Sequence, residues 1–409
     1  MRHIAVLSNM YYPVMGAPSA VIDKYLQELK VDFTFHIITK TNDINFPPSE
    51  EFDMSYISSF RHRLYQRCLY NLKKGDNVLF SRLLLFIVRI CMVVQNQYSF
   101  PTSRRWEINA YYQQLVALNE KYHLDAVIAV SENFVTQLAM LKFKKENPIV
   151  KWIAFILDPY HELFIYYRYK LLKCLWKRAN KRKELEIYKK ADFLMFSLEM
   201  FNHVKEVYDL NKQKIFPLHF TLNKDLSGGT VNSDSHICSL VYAGGFYKDI
   251  RNPEFALSTL SEVANIRLTM YLHKGECDDI VARFLSDKIL RKDVVGRQEY
   301  INIIKGQCDI LINVGNKSSL QAPSKMLELL STGKPIINFS FSKDSQYDMI
   351  EKYPLGINIL DQEKDAPTKI AKFCEVMKGK IMPFEEVLKL FPDNNMSNHV
   401  KVLRSLIEM

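Results

Sequence analysis

The run PSKMLELLSTGKPII, residues 323–337, holds the groups best arranged for chemistry. Lys325 and Glu328 are three residues apart, so a helix puts them on one face. Pro323 suits the first helical position, and Gly333 suits the left-handed residue that ends a helix. The unpaired N–H groups of a helix start carry partial positive charge, and a diphosphate fits there. A cation in the first turn is mildly unfavourable for the helix dipole, a conflict that an anion beside Lys325 would resolve. Glu328 can accept hydrogen bonds from ribose hydroxyls. The plainer alternative is a solvated Lys–Glu pair on an ordinary helix.

Three other segments carry polar groups at strand ends. Gly244–Gly245 follows a strand-like run, with Lys248 and Arg251 shortly after. Glycine permits close backbone approach to phosphate and Arg grips phosphate in a bidentate way, although a simple turn explains a glycine pair as well. Gly16 stands before the first helix, either in a loop that borders a ligand or in a tight turn. Asp158 and His161, in DPYHE, follow another strand, and either could accept a proton from an acceptor hydroxyl. The alternative there is a helix cap for Asp158 and a merely exposed His161.

The elements that must position these groups follow a βα rhythm. His3–Leu7, Phe33–Ile38, Ala126–Val130, Trp152–Leu157 and Ala191–Ser197 read as strands, with a helix at Pro18–Leu29. Residues 56–118 read as long helical or irregular segments, and 162–190 as basic helices. The apolar-poor run TLNKDLSGGTVNSDS marks a boundary. Strands at Ser239–Tyr242, Ile266–Leu272, Asp309–Val314 and Pro335–Phe339 then alternate with helices at Glu254–Val263, Asp278–Leu285 and Pro323–Thr332. The fold class is therefore α/β: two Rossmann-like, doubly wound parallel-sheet domains facing a cleft. Expected boundaries are 1–222, 223–385, and a helical segment 386–409 that docks on a domain.

Composition narrows the setting. The chain has 409 residues and a net charge of +10, which implies polyanionic company. Its seven cysteines are scattered without paired spacing, and the N-terminus lacks the order of a signal peptide, so a cytoplasmic protein is expected. The apolar stretch Leu79–Val94 is interrupted by Arg82 and Arg89 and falls short of a membrane span. The stretch from Phe164 to Lys183 mixes Lys and Arg with Tyr, Leu and Trp176. It suits either an anionic membrane surface or an ordinary amphipathic helix with a solvated basic face. Nucleic acid is a third reading, which is not adopted. No G-x-S-x-G, P-loop lysine, H-E-x-x-H or calcium-loop motif is present, so neither metal nor cofactor is expected.

Taken together, PSKMLELLSTGKPII resembles the C-terminal signature of family 4 glycosyltransferases of the GT-B class. The resemblance implies donor contacts from Pro323, Ser324, Lys325, Met326 and Glu328, with Glu328 on the ribose. YAGGFYKDIRNPEFAL is similar to the family's first C-domain strand and glycine loop, which implies donor roles for Gly244, Gly245, Lys248 and Arg251. YLHKGECDDIV is similar to the next strand and its glycine, Gly275. CDILINVGN is similar to the strand before the donor loop, bringing in Asn313 and Gly315. The N-terminal YYPVMGAPSAVIDKYLQEL is similar to the family's glycine loop and first helix, with Gly16. The family has a second glutamate eight positions before Glu328, where this chain has Leu320. That carboxylate reads the donor sugar, so the sugar is left unread here.

The resemblance implies transfer of a sugar from a UDP- or GDP-sugar to a hydroxyl of a lipid-linked glycan, with retained anomeric configuration and no metal. Asp158, His161, Lys325 and Glu328 would be the catalytic set. The work would be done at the inner face of a bacterial membrane, in surface polysaccharide synthesis. Two rivals stand beside it: a sugar-nucleotide epimerase of the same architecture, and a non-catalytic scaffold that recruits partners to a membrane.

Overall fold

The computed structural model describes residues 1–12, 15–40, 51–98, 105–131, 134–158, 160–162, 171–210, 214–218, 220–229, 236–306, 308–317 and 325–409. It forms two compact units, Met1–His219 with Ser397–Met409, and Phe220–Met396.

The first unit is built on strands β1 (Arg2–Ser8), β2 (Phe33–Lys40), β3 (Asp53–Ile57), β4 (Ala126–Ser131), β5 (Lys151–Ile156), β6 (Phe193–Ser197) and β7 (Ile215–Leu218). They lie in the order β3-β2-β1-β4-β5-β6-β7, and every pair is parallel. The order reverses between β1 and β4. Helices cover the sheet, and Trp152, Phe143, Tyr111 and Tyr188 are buried in its core. The C-terminal helix Met396–Glu408 belongs to this unit. Arg2 and Lys151 donate to the Ile407 carbonyl at 2.7 and 3.0 Å, and Arg404 pairs with Asp32 at 2.6 Å. The bonds to Ile407 give a partner to the carbonyl-rich end of that helix.

The second unit has strands β8 (Cys238–Ala243), β9 (Ile266–Tyr271), β10 (Ile289–Lys292), β11 (Ile310–Val314), β12 (Ile336–Ser340) and β13 (Gly356–Leu360). Their order is β10-β9-β8-β11-β12-β13, again all parallel. Successive side chains of a strand face opposite ways. Accordingly Ile310, Ile312 and Val314 join one apolar cluster while Leu311 joins the other. Both faces are covered, as a parallel sheet requires. Each side chain so buried contributes about 1.5–3 kcal/mol.

A polar ladder runs through this sheet. Asn313, Asn338 and Asn358 stand in register on β11, β12 and β13. Asn313 donates to Asn338 Oδ1 at 2.7 Å and to Gln346 Oε1 at 3.0 Å, and Asn338 donates to Asn358 Oδ1 at 2.8 Å. Asn313, expected among the donor contacts, is thereby engaged inside the sheet through its side chain. Its amide is buried and committed to structural partners.

Candidate functional site

The helix that follows β11 is described from Lys325 to Ser331. It ends as the sequence predicts, with Gly333 at φ +73°, where a Cβ would lie 2.0 Å from the Met382 carbonyl oxygen. Pro323, Ser324 and Leu320 lie outside the described residues, so the expected roles at the start of this helix have no structural account. Met326 is buried in the core beneath the helix, which leaves its side chain unable to face a ligand.

Lys325 is half-buried and points into a pocket of about 280 Å³. Ala243 and Gly244 from the end of β8, Tyr271 from the end of β9, Arg297 and Tyr300 after β10, and Glu328 complete most of its wall. The pocket thus lies beyond the carboxyl ends of the strands, where the order reverses between β8 and β11. Open α/β sheets bind ligands at such a switch point.

The Lys325 ammonium lies 5.8 Å from the Tyr242 ring centre and 5.4 Å from that of Tyr300. Among the described residues it has no hydrogen-bond or ion-pair partner. Burial pushes its pKa down to about 8; nearby Arg251 and Arg297 add to that, and Glu328 opposes it. Arg251 donates through Nε to buried Asn316 at 3.1 Å and lies close enough to Tyr242 to favour its ionised form, and the Tyr242 hydroxyl donates to the Gly245 carbonyl at 3.2 Å. Glu328 is held by Arg297: Nη1 reaches Oε2 at 3.2 Å and Nη2 reaches Oε1 at 2.8 Å. Lys325 and Arg297 therefore flank Glu328 on the pocket wall, and Arg251 stands near Lys325.

Gly244 is where a side chain would interfere. A Cβ there would stand 3.0 Å from the Tyr242 hydroxyl and 3.4 Å from the Lys325 ammonium nitrogen. Gly245 packs against the Tyr247 ring, and Gly315 bonds the Phe339 carbonyl through its N–H at 2.8 Å. Gly275 only closes a turn with Asp278, and its nearest neighbour to a Cβ is 3.9 Å away. Lys248 pairs with Asp279 at 3.0 Å, both side chains exposed, and does not line the pocket. Solvated pairs of that kind contribute little.

In the first unit, Gly16 precedes helix Ala17–Leu29 with extended backbone, and its N–H bonds the Met10 carbonyl at 2.8 Å. Asp158 is half-exposed just past β5. His161 is buried rather than exposed. Its Nδ1 lies 2.5 Å from Glu184 and its Nε2 lies 3.2 Å from Glu162, which also meets His203 at 3.2 Å. Glu184 further accepts from Tyr188 at 2.5 Å and from the N–H groups of Tyr160 and His161 at 3.2 Å. Both ring nitrogens of His161 are thus engaged with carboxylates.

No protein-family model matches the chain, and no curated protein matches its sequence. Solved structures match it over its whole length. Sucrose-phosphate synthase from Thermosynechococcus elongatus has a TM-score of 0.65 at 11% identity, covering 100% of this chain and 98% of that one. The chain has the GT-B fold. The Anabaena protein HepE, solved with UDP and glucose, matches with a TM-score of 0.64 at 9% identity and 100% of both chains. UDP-GlcNAc 2-epimerase from Methanocaldococcus jannaschii matches with 0.55 at 12% identity, over 99% and 100%.

Within this GT-B chain the sequence reading brought Lys325, Glu328, Gly244 and Arg251 to one place, and the structure keeps them together. Arg297, Tyr242, Tyr271 and Tyr300 join them there, without a motif in the sequence to mark them. The only signal for Arg297 is positional: Gly296–Arg297 follows a strand end just as Gly244 does. Among the described residues, no three His, Cys, Asp or Glu side chains converge as a metal site would need.

Proposed function

We propose that the chain is a glycosyltransferase whose second unit holds the nucleoside diphosphate of a sugar donor. The observation that carries the reading is the convergence of Lys325 and Arg297, with Glu328 between them and Arg251 near Lys325, on a pocket at the switch point of the sheet. A half-buried ammonium with no anionic contact of its own suits a phosphate oxygen. Lys325 and Arg251 would stabilise the charge that develops on the leaving diphosphate, the kind of preorganised electrostatics that contributes most to such reactions. Tyr271 and Tyr300 supply flat surfaces for the nucleoside. Glu328 would accept from ribose hydroxyls, in exchange for its bonds to Arg297.

The sugar passes to a hydroxyl of a lipid-linked glycan with retained configuration. The acceptor side is assigned to the turn after β5. Asp158 is its accessible carboxylate, while His161 positions that turn through Glu184. UDP is favoured over GDP as the nucleotide because HepE, of the same fold, is solved with UDP.

The test is direct. UDP and GDP are titrated by calorimetry, and UDP-sugars are then incubated with and without a lipid-linked oligosaccharide. Nucleotide binding, with sugar consumed only when acceptor is present, is expected. Epimerised sugar formed without acceptor would make the chain an epimerase, and no heat with either nucleotide would make it a scaffold.

A further inference from the structure

Between β3 and β4 the first unit carries a helical hairpin. Ser59 caps helix Phe60–Lys74 by accepting from the His62 N–H at 3.1 Å, and Gly75 ends it at φ +80°. The chain then reverses into helix Val78–Tyr98. Ser81, Leu85 and Val88 of the second helix are buried. Leu79, Phe80, Leu83, Phe86, Ile87 and Ile90 are not; they range from 83% exposed at Leu79 to 47% at Ile90.

Helix geometry makes this a face. At about 100° per residue, these exposed apolar side chains, with Val94, fall within an arc of roughly 120° opposite the buried one. Arg82 and Arg89, both exposed, stand together along one edge of the arc. Charge then selects the occupant. Residues 60–98 contain seven Lys and Arg and a single acid, Asp76. A second copy of the chain would set this cationic surface against itself at a two-fold interface, which like-charge repulsion opposes. No described helix is long and apolar enough to cross a membrane. An apolar arc edged by arginine, with cations on the neighbouring helix, is the make-up of a helix that lies in the headgroup layer of an anionic bilayer.

We infer that the hairpin 60–98 docks the protein on an anionic membrane surface, with Leu79, Leu83, Phe86, Ile87 and Ile90 entering the acyl boundary and Arg82 and Arg89 meeting lipid phosphates. This docking deepens, and rests on, the reading of a lipid-linked acceptor. The sequence expectation put the membrane contact first on the Phe164–Lys183 stretch, with Leu79–Val94 as a stretch that could join it. Much of the Phe164–Lys183 stretch lies outside the described residues.

Vesicle co-sedimentation tests it without any transfer assay, so its failure and a failure of the glycosyltransferase reading are separately visible. The full chain is expected to sediment with phosphatidylglycerol-containing vesicles and far less with pure phosphatidylcholine. Leu83→Glu with Phe86→Glu should abolish sedimentation. Arg82→Ala with Arg89→Ala should weaken it by about fivefold per charge. Ile149→Glu, at a 93% exposed site before β5, should leave it unchanged. Circular dichroism and UDP binding serve as fold controls. Three results would overturn the inference: no sedimentation of the wild type, equal sedimentation on neutral vesicles, or a wild-type dimer that Leu83→Glu with Phe86→Glu splits.

Discussion

Arg297 grips both carboxylate oxygens of Glu328, at 3.2 and 2.8 Å, across 31 residues of sequence. The pair is partly exposed, Arg297 more than Glu328, and pairs of that kind contribute at most about 1 kcal/mol to stability. Arg297→Ala should therefore leave the melting temperature nearly unchanged while weakening UDP binding by roughly tenfold, through loss of one charge-assisted contact. Chemical denaturation and calorimetry on the same variant check this. A stability loss with intact binding would remove Arg297 from the site.

Lys325→Ala and Glu328→Gln should each lower UDP affinity and transfer by about ten- to a hundredfold, the effect of one to two charged hydrogen bonds. Both side chains are half-buried on the pocket wall, so the variants should fold. Full turnover by both would place the donor elsewhere.

The low pKa of Lys325, about 8, makes nucleotide binding sensitive to pH. A diphosphate favours the charged ammonium, so the pKa in the complex is higher than in the free protein. Affinity should be level below about pH 8 and fall above it, with proton uptake on binding in that window. Calorimetry in buffers of different ionisation enthalpy reads the uptake. Lys325→Met should abolish it.

Gly244→Ala and Gly275→Ala should differ. The first crowds the Tyr242 hydroxyl and the Lys325 ammonium and should reduce UDP affinity by about tenfold or more, since a misplaced positioning group is costly. The second makes only ordinary van der Waals contacts, at 3.9 Å and beyond, and should bind as the wild type does.

Asn313→Ala removes two donors from the ladder and leaves Asn338 Oδ1 and Gln346 Oε1 short of partners. The expected loss is about 1–3 kcal/mol of stability, measured by denaturant titration, with UDP affinity of the folded protein retained. A selective loss of UDP affinity would return Asn313 to the site.

The parts that the sequence declared were those whose physics is local. β1, β2, β4, β5 and β6, and β8, β9, β11 and β12, read as strands because each is an interior strand and most are largely buried on both faces, so that their runs are rich in apolar and β-branched residues. The strands it left unread, β3, β7, β10 and β13, are the four edges. With one side unpaired, their burial is mixed, as in DMSYI and GINIL, and their apolar runs are short or broken, as in IFPL and ILRK. The same division holds in the pocket. Lys325, Glu328 and Gly333 were legible because a single helix sets their spacing. Which way Lys325 points, that Arg297 takes both oxygens of Glu328, and that Asn313 is spent on its neighbours follow only from winding the chain about β8 and β11. That winding brings Tyr242, Arg251, Arg297 and Lys325, far apart in sequence, into one place where their charges and burial act on each other.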